Sequence, residues 1–246
     1  MIWLRSLVFN LLFFGITIIF AFLTLPTLLM PRWGAMFVTR SWARMVIWSL
    51  RHVVGVRVEV RGLEHLPPGG VVLAAKHQSA FDTIIWLSLL PDPTYVMKQE
   101  LMRIPLYGWH ARKAGMIPVD RSGGGAALRG MVRLAVKAAA EGRQVVIFPE
   151  GTRTAVGQRV PYQPGVVALA AGTGAPVLPV ATDSGRVWGR RHFLKRPGTI
   201  RIAILPALPP GLNRARMLAA LESRIEAETD RLMAEPQHGT VDKSVD

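Results

Sequence analysis

The chain has 246 residues, half of them hydrophobic, with 30 Lys and Arg against 16 Asp and Glu and a formal charge of +14. That length suits one sizeable α/β domain plus an appendage, and a basic surface serves nucleic acid, anionic lipid or an acidic substrate. Cysteine is absent, which excludes disulfides, thiolate metal sites and cysteine nucleophiles.

The first feature in chain order is the run from Leu7 to Met30, LVFNLLFFGITIIFAFLTLPTLLM, which carries no charge. A bilayer span needs about 20 apolar residues, so the run is long enough. It is longer than the roughly 7–15 residues of a signal-peptide core and lacks an A-x-A-like site, so it reads as a retained anchor. Pro26 can bend it, so a straight span and a re-entrant hairpin both stay open. Residues 33–54 read as a second helix, on which Arg40, Arg44 and Arg51 fall within about 40° of one another. Trp42, Met45, Trp48 and Val53 lie on its other faces. A basic stripe beside apolar faces suits a helix in the membrane interface, and a core-packed helix with a solvated basic face is the alternative. Arg32, Arg40 and Arg44 place the segment after the anchor on the cytoplasmic side, as in a bacterial inner membrane.

Beyond Gly55 the pattern alternates. VRVEV reads as a strand, PPGG at 67–70 as a turn and GVVLAA as a continuously apolar strand. AFDTIIWLSLL is helical, TYVMK a short strand, and QELMRIPLYGWHARKAG helical. MIPVD, QVVIFP, PVLPVAT and TIRIAILP read as strands, and residues 125–142, 164–174 and 213–235 as helices. The expected fold is therefore α/β, a mixed and mostly parallel sheet flanked by helices, preceded by a hydrophobic two-helix membrane motif. The expected organisation is a membrane-anchoring segment at 1–54, an α/β domain at 55–235 and a flexible tail at 236–246.

Ligands of such sheets sit beyond the carboxyl ends of the strands. Four short polar motifs are expected there: HQSAFD (77–82), VDR (119–121), FPEGTR (148–153) and VLPV (177–180). His77 is suited to general base work near neutral pH, and a carboxylate on its other ring nitrogen fixes the tautomer. One helical turn can bring Asp82 back toward His77. SAFD also fits S-x-x-[DE], a capping box in which Asp82 only satisfies backbone donors. Arg153 can bind a phosphate through its planar fork, and Gly151 lets backbone approach closely. Glu150 can hold Arg153 or contact an acceptor hydroxyl, with a surface Glu/Arg pair as the plain alternative. Arg121 can supply a second phosphate contact or pair with Asp120. SGGG at 122–125 lacks the G-K-[ST] of a phosphate loop and reads as a loop before a helix.

HQSAFD, GMIPVDR, FPEGTR and VLPV, in this order, resemble the glycerolipid acyltransferase family that makes phosphatidic acid from lysophosphatidic acid. HQSAFD matches the family's H-x4-D motif and FPEGTR its most diagnostic block. Pro118 stands where an aromatic or aliphatic residue is more usual, and YQPG (162–165) stands where basic residues often follow the third block. The resemblance implies that His77 is the catalytic base and that Asp82 orients it. It also implies that the block Glu150, Gly151, Thr152 and Arg153 helps bind the acceptor's phosphate, and it fits Lys98 to a recurrent lysine. The implied partners are membrane lipids, lysophosphatidic acid and acyl-CoA or acyl-carrier protein as donor, with no nucleic acid, no metal and no further cofactor. A metal-dependent hydrolase finds no support, since no two histidines have helical ligand spacing. Two rival readings are the same chemistry on another acceptor, such as glycerol 3-phosphate or a lyso-aminolipid, and a non-enzymatic membrane-anchored basic adaptor. Ser79, the hydroxyl between His77 and Asp82, is better placed as a helix N-cap than as a nucleophile, and no G-x-S-x-G elbow presents it. Direct transfer without an acyl-enzyme is therefore expected.

Overall fold

The computed structural model describes residues 1–237, so the expected flexible tail lies almost wholly outside the described residues. The amino terminus forms a helical hairpin, α1 (Ile2–Leu23) and α2 (Arg32–Ser49). The apolar run breaks at a 3-10 turn, Leu25–Leu28, with Pro26 in its opening positions. Proline's fixed φ and missing N–H end the helix there. The helices are antiparallel: the Trp42 indole N–H donates to Thr17 Oγ1 (3.1 Å) midway along the pair, while Arg5 lies beside Gly55 at the open end. The last turn of α2 widens into a π-helical turn, Leu50–Val54, and stops at Gly55, whose φ of 86° favours glycine.

Among the described residues α1 is the one helix long and apolar enough to cross a membrane. Its outer side, with Leu4, Leu11, Phe14, Ile18 and Phe22, is exposed. Its inner side is not: Ser6 and Phe9 are buried, and Phe9 and Phe13 set their rings edge-on to Trp188, with centroids 5.3 and 5.7 Å away. Residues 1–54 therefore share one core with the body, since Phe9, Ala43, Val46 and Leu50 cluster with Leu73, Phe81 and Ile202. The basic stripe of α2 is partly used inside the fold. Arg40 donates to the carbonyls of Leu90 and Pro91, and Arg32, which lies off the stripe, forks onto Asp92. Arg44 and Arg51 remain exposed.

The body is a seven-stranded sheet: β1 (Val56–Arg61), β2 (Val71–Ala75), β3 (Pro93–Lys98), β4 (Ile117–Val119), β5 (Gln144–Ile147), β6 (Val177–Thr182) and β7 (Gly198–Ile204). Their order is β1-β7-β6-β2-β5-β3-β4. Every pair is parallel except β6 with β7. Helices cover both faces: α3 (Phe81–Leu89) lies on the side of α1 and α2, with α5 (Gly124–Ala140), α6 (Gly165–Thr173) and α7 (Arg214–Ala234) on the other. The alternation of β2 follows from this. Val71, Leu73 and Ala75 join one core, and Val72 and Ala74 the other.

One expected helix is interrupted. Residues 99–115 form a 3-10 turn, Gln99–Arg103, a break, and then α4 (Tyr107–Lys113). Pro105 causes the break, because the residue before a proline avoids the α region and Ile104 sits extended at φ −68°, ψ 121°. Leu106 then takes a positive φ of 63°.

Candidate active site

β2 lies at the centre of the sheet, with β5 on one side and β6 on the other. The segments leaving the carboxyl ends of β2 and β5 pack together there. Residues 76–79, Asp82, Glu150 and Thr154 are all buried. The Asp82 carboxylate oxygen Oδ2 lies 3.2 Å from His77 Nδ1. The same oxygen accepts the backbone N–H groups of Gln78 and Ser79, both at 2.7 Å. Asp82 thus contacts both the imidazole and the backbone donors that the sequence offers it. A carboxylate facing Nδ1 keeps the proton on that nitrogen, leaving Nε2 with its lone pair. Nε2 makes no hydrogen bond among the described residues.

The ring is held from its flat side as well. Phe148 stacks on it with centroids 4.0 Å apart and planes 19° apart. The backbone of His77 is clamped at both polar groups. Its N–H donates to Glu150 Oε2 (2.7 Å), and its carbonyl accepts the Thr154 N–H (2.8 Å). The block FPEGTR therefore grips the histidine through Phe148, Glu150 and its following residue.

Glu150 is not paired with Arg153 among the described residues. Its Oε1 accepts the Thr154 hydroxyl (2.8 Å) and lies 2.8 Å from Lys76 Nζ. Burial pushes its carboxyl pKa up, opposed chiefly by the Lys76 charge. Ser79 is buried and its Oγ accepts the Phe81 N–H (3.1 Å), so its hydroxyl oxygen faces the first turn of α3.

Arg153 is half-buried, and its Nε lacks a hydrogen-bond partner. Burial lowers its pKa, and Arg190 and Arg191 press in the same direction while Asp82 and Tyr107 oppose them. Sequence reading missed Arg190 and Arg191, because GRRHFLKR (189–196) lies outside all four motifs. The local signal was its density of cations. Gly151 takes the positive φ of 69° that favours glycine, and Thr152 is exposed. Arg121 is exposed on the loop between β4 and α5, and Asp120 accepts from Ser122 rather than pairing with it. Lys98 pairs at the surface with Glu100 (3.1 Å). No hydrogen bond or ion pair links Lys98 or Arg121 to the His77 centre among the described residues. No group of three or more His, Asp or Glu placed to hold a metal occurs among them either.

A family model described as acyltransferase matches residues 57–183, more than half of the chain. The chain belongs to the acyltransferase family. A family member from Pseudomonas aeruginosa, a 1-acyl-sn-glycerol-3-phosphate acyltransferase, is 39% identical over 199 residues, covering 81% of this chain and 77% of that protein. A 1-acyl-sn-glycerol-3-phosphate acyltransferase alpha of Mus musculus is 32% identical over 66% of this chain. The match spans 59% of the mouse protein, less than two thirds of its length. The fold is that of the crystal structure of the 1-acyl-sn-glycerophosphate acyltransferase PlsC from Thermotoga maritima, at a TM-score of 0.78 and 22% identity, with 96% of this chain and 99% of that chain covered.

Proposed function

We propose that this acyltransferase moves a fatty acyl group from a thioester donor, acyl-CoA or acyl-carrier protein, to the free hydroxyl of lysophosphatidic acid, giving phosphatidic acid. The observation that carries this reading is the buried His77–Asp82 pair with Nε2 free. The names of the relatives support the acceptor. His77 Nε2 takes the proton as the acceptor oxygen attacks the thioester carbonyl carbon. The tetrahedral intermediate collapses with cleavage of the carbon–sulfur bond, and the imidazolium returns the proton to the departing thiolate. Asp82 stabilises the imidazolium in between. Arg153 receives the acceptor's phosphate, which explains a half-buried guanidinium without an ion-pair partner among the described residues. Thiol release from acyl-CoA, measured with and without lysophosphatidic acid, tests the reading. Release that needs lysophosphatidic acid and yields phosphatidic acid is expected. Release without any acceptor indicates a hydrolase, and preference for glycerol 3-phosphate reassigns the acceptor.

The enzyme works at a membrane surface. α1 is fixed along its inner side to the body and apolar on its outer side, so the hairpin beds its outer face in the lipid instead of crossing freely. The catalytic body then lies on the cytoplasmic side. Glycosylation or protease accessibility of residues 1–6 decides this: exposure on the same side as the body is expected, and exposure on the opposite side means a full span.

A further inference from the structure

Lys76 is the residue before the histidine, and its side chain is 1% exposed. It continues the row of Val72 and Ala74 along β2, which faces the core shared with α7. A buried ammonium needs partners. Lys76 Nζ has two, Glu150 Oε1 at 2.8 Å and Glu226 Oε1 of α7 at 2.6 Å. Tyr162 donates its hydroxyl to the same Glu226 oxygen (2.9 Å). Glu150 then passes the connection to the His77 backbone N–H through its second oxygen. A continuous polar chain therefore runs from the carboxyl-terminal helix, Glu226 to Lys76 to Glu150, and ends on the backbone of the histidine.

We propose that Lys76 and Glu226 are positioning residues for acyl transfer, fastening α7 to the backbone of His77 through Glu150 so that the imidazole meets the acceptor hydroxyl in a fixed place. The proposal rests on His77 serving as the base. A buried ion pair is weak support for stability, since apolar replacements of equal volume often do as well. Geometry is the more demanding requirement at this spot. The chain has one cation between two carboxylates, and Arg159 beyond Glu226 sits 3.9 Å from it on the exposed side. Removing Lys76 leaves two buried carboxylates facing one another, with Glu150 the one that holds the histidine.

The test uses the full chain in lipid vesicles, with turnover expressed per folded molecule. A misplacement near 1 Å costs about a hundredfold, so Lys76→Met is expected to lower kcat by about 10²-fold and leave both KM values within about twofold. Adding Glu226→Gln removes the surplus negative charge, and the double variant is expected to recover at least about tenfold over Lys76→Met alone. A loss caused only by poorer packing would instead deepen with the second substitution. Where Lys76→Met fails to fold, Glu226→Gln alone is read, with kcat expected to fall severalfold at unchanged KM. The proposal is overturned by unchanged kcat in whichever of these variants folds, by a loss carried in KM, or by a double variant no better than Lys76→Met. An active His77→Ala removes the base reading and this proposal with it. An inactive His77→Ala beside a fully active Lys76→Met removes this proposal alone.

Discussion

Replacing Asp82 by asparagine and by alanine separates its two duties. All three of its hydrogen bonds fall on one oxygen. The amide oxygen of Asp82→Asn can take that place, so Gln78, Ser79 and the Nδ1–H keep their acceptor and the fold should hold. What is lost is the negative charge 3.2 Å from the imidazole. Two unit charges at that separation interact by about 5 kcal/mol at an effective dielectric near 20. With the proton about half transferred in the transition state, roughly 2.5 kcal/mol of that remains, and 1.4 kcal/mol is tenfold in rate. Asp82→Asn should therefore lower kcat by about 10²-fold with little change in thermal unfolding. Asp82→Ala strips two buried backbone donors as well, at about 1–3 kcal/mol each, so it should also unfold several degrees earlier. Acyl-CoA turnover with lysophosphatidic acid and a thermal melt of each variant give both quantities. Wild-type turnover in Asp82→Asn, or equal melting of the two variants, would refute the division of labour.

Three other outcomes are expected. Arg153→Ala should raise the acceptor KM by roughly 10–150-fold, the equivalent of 1.5–3 kcal/mol for a lost charge-assisted contact, with the donor KM unmoved; Arg153→Lys should recover part of this, and equal effects on both substrates would dismiss the assignment. Ser79→Ala should lose at most about 0.5–2 kcal/mol of stability and keep most of its turnover; an acyl adduct on the intact protein, present with donor alone and absent in Ser79→Ala, would establish a covalent route instead. Burial holds Lys195 down at about 8 against its ordinary 10.5, so the unfolded chain binds more protons between those values and stability should rise with pH across that window. Melting temperatures of wild type and Lys195→Met check this: the variant should lose the rise, and parallel profiles would discount the residue.

Much of this centre was legible because periodicity and chemistry coincide. The apolar row of β2 points to a buried central strand, and a histidine with a carboxylate five positions on has few reasons to stand at its end. The antiparallel pairing of β7 with β6 also had a signal: residues 183–197 contain no apolar-periodic helix, the usual crossover between parallel strands. The break at Pro105 was equally readable, but the helical composition around it outweighed the proline. Glu150 was not legible. Its motif suggested a substrate contact, whereas its partners are a lysine on β2 and a backbone N–H, and such pairings arise only when β2 and β5 lie side by side. The alternation that puts Lys76 opposite the row of Leu73 and Ala75 hinted at a buried cation in need of acids. Glu226 lies 150 residues away from it, beyond any local pattern.

The edge-on rings of Phe9 and Phe13 against Trp188 bear on how the protein can be handled. Cutting the chain at Gly55, the obvious route to a water-soluble fragment, would pass through the core and bare Trp188. A detergent-free enzyme is better sought by recolouring than by trimming: polar replacements at Leu4, Leu11 and Ile18, which are largely exposed, leave the inner seam of the helix intact.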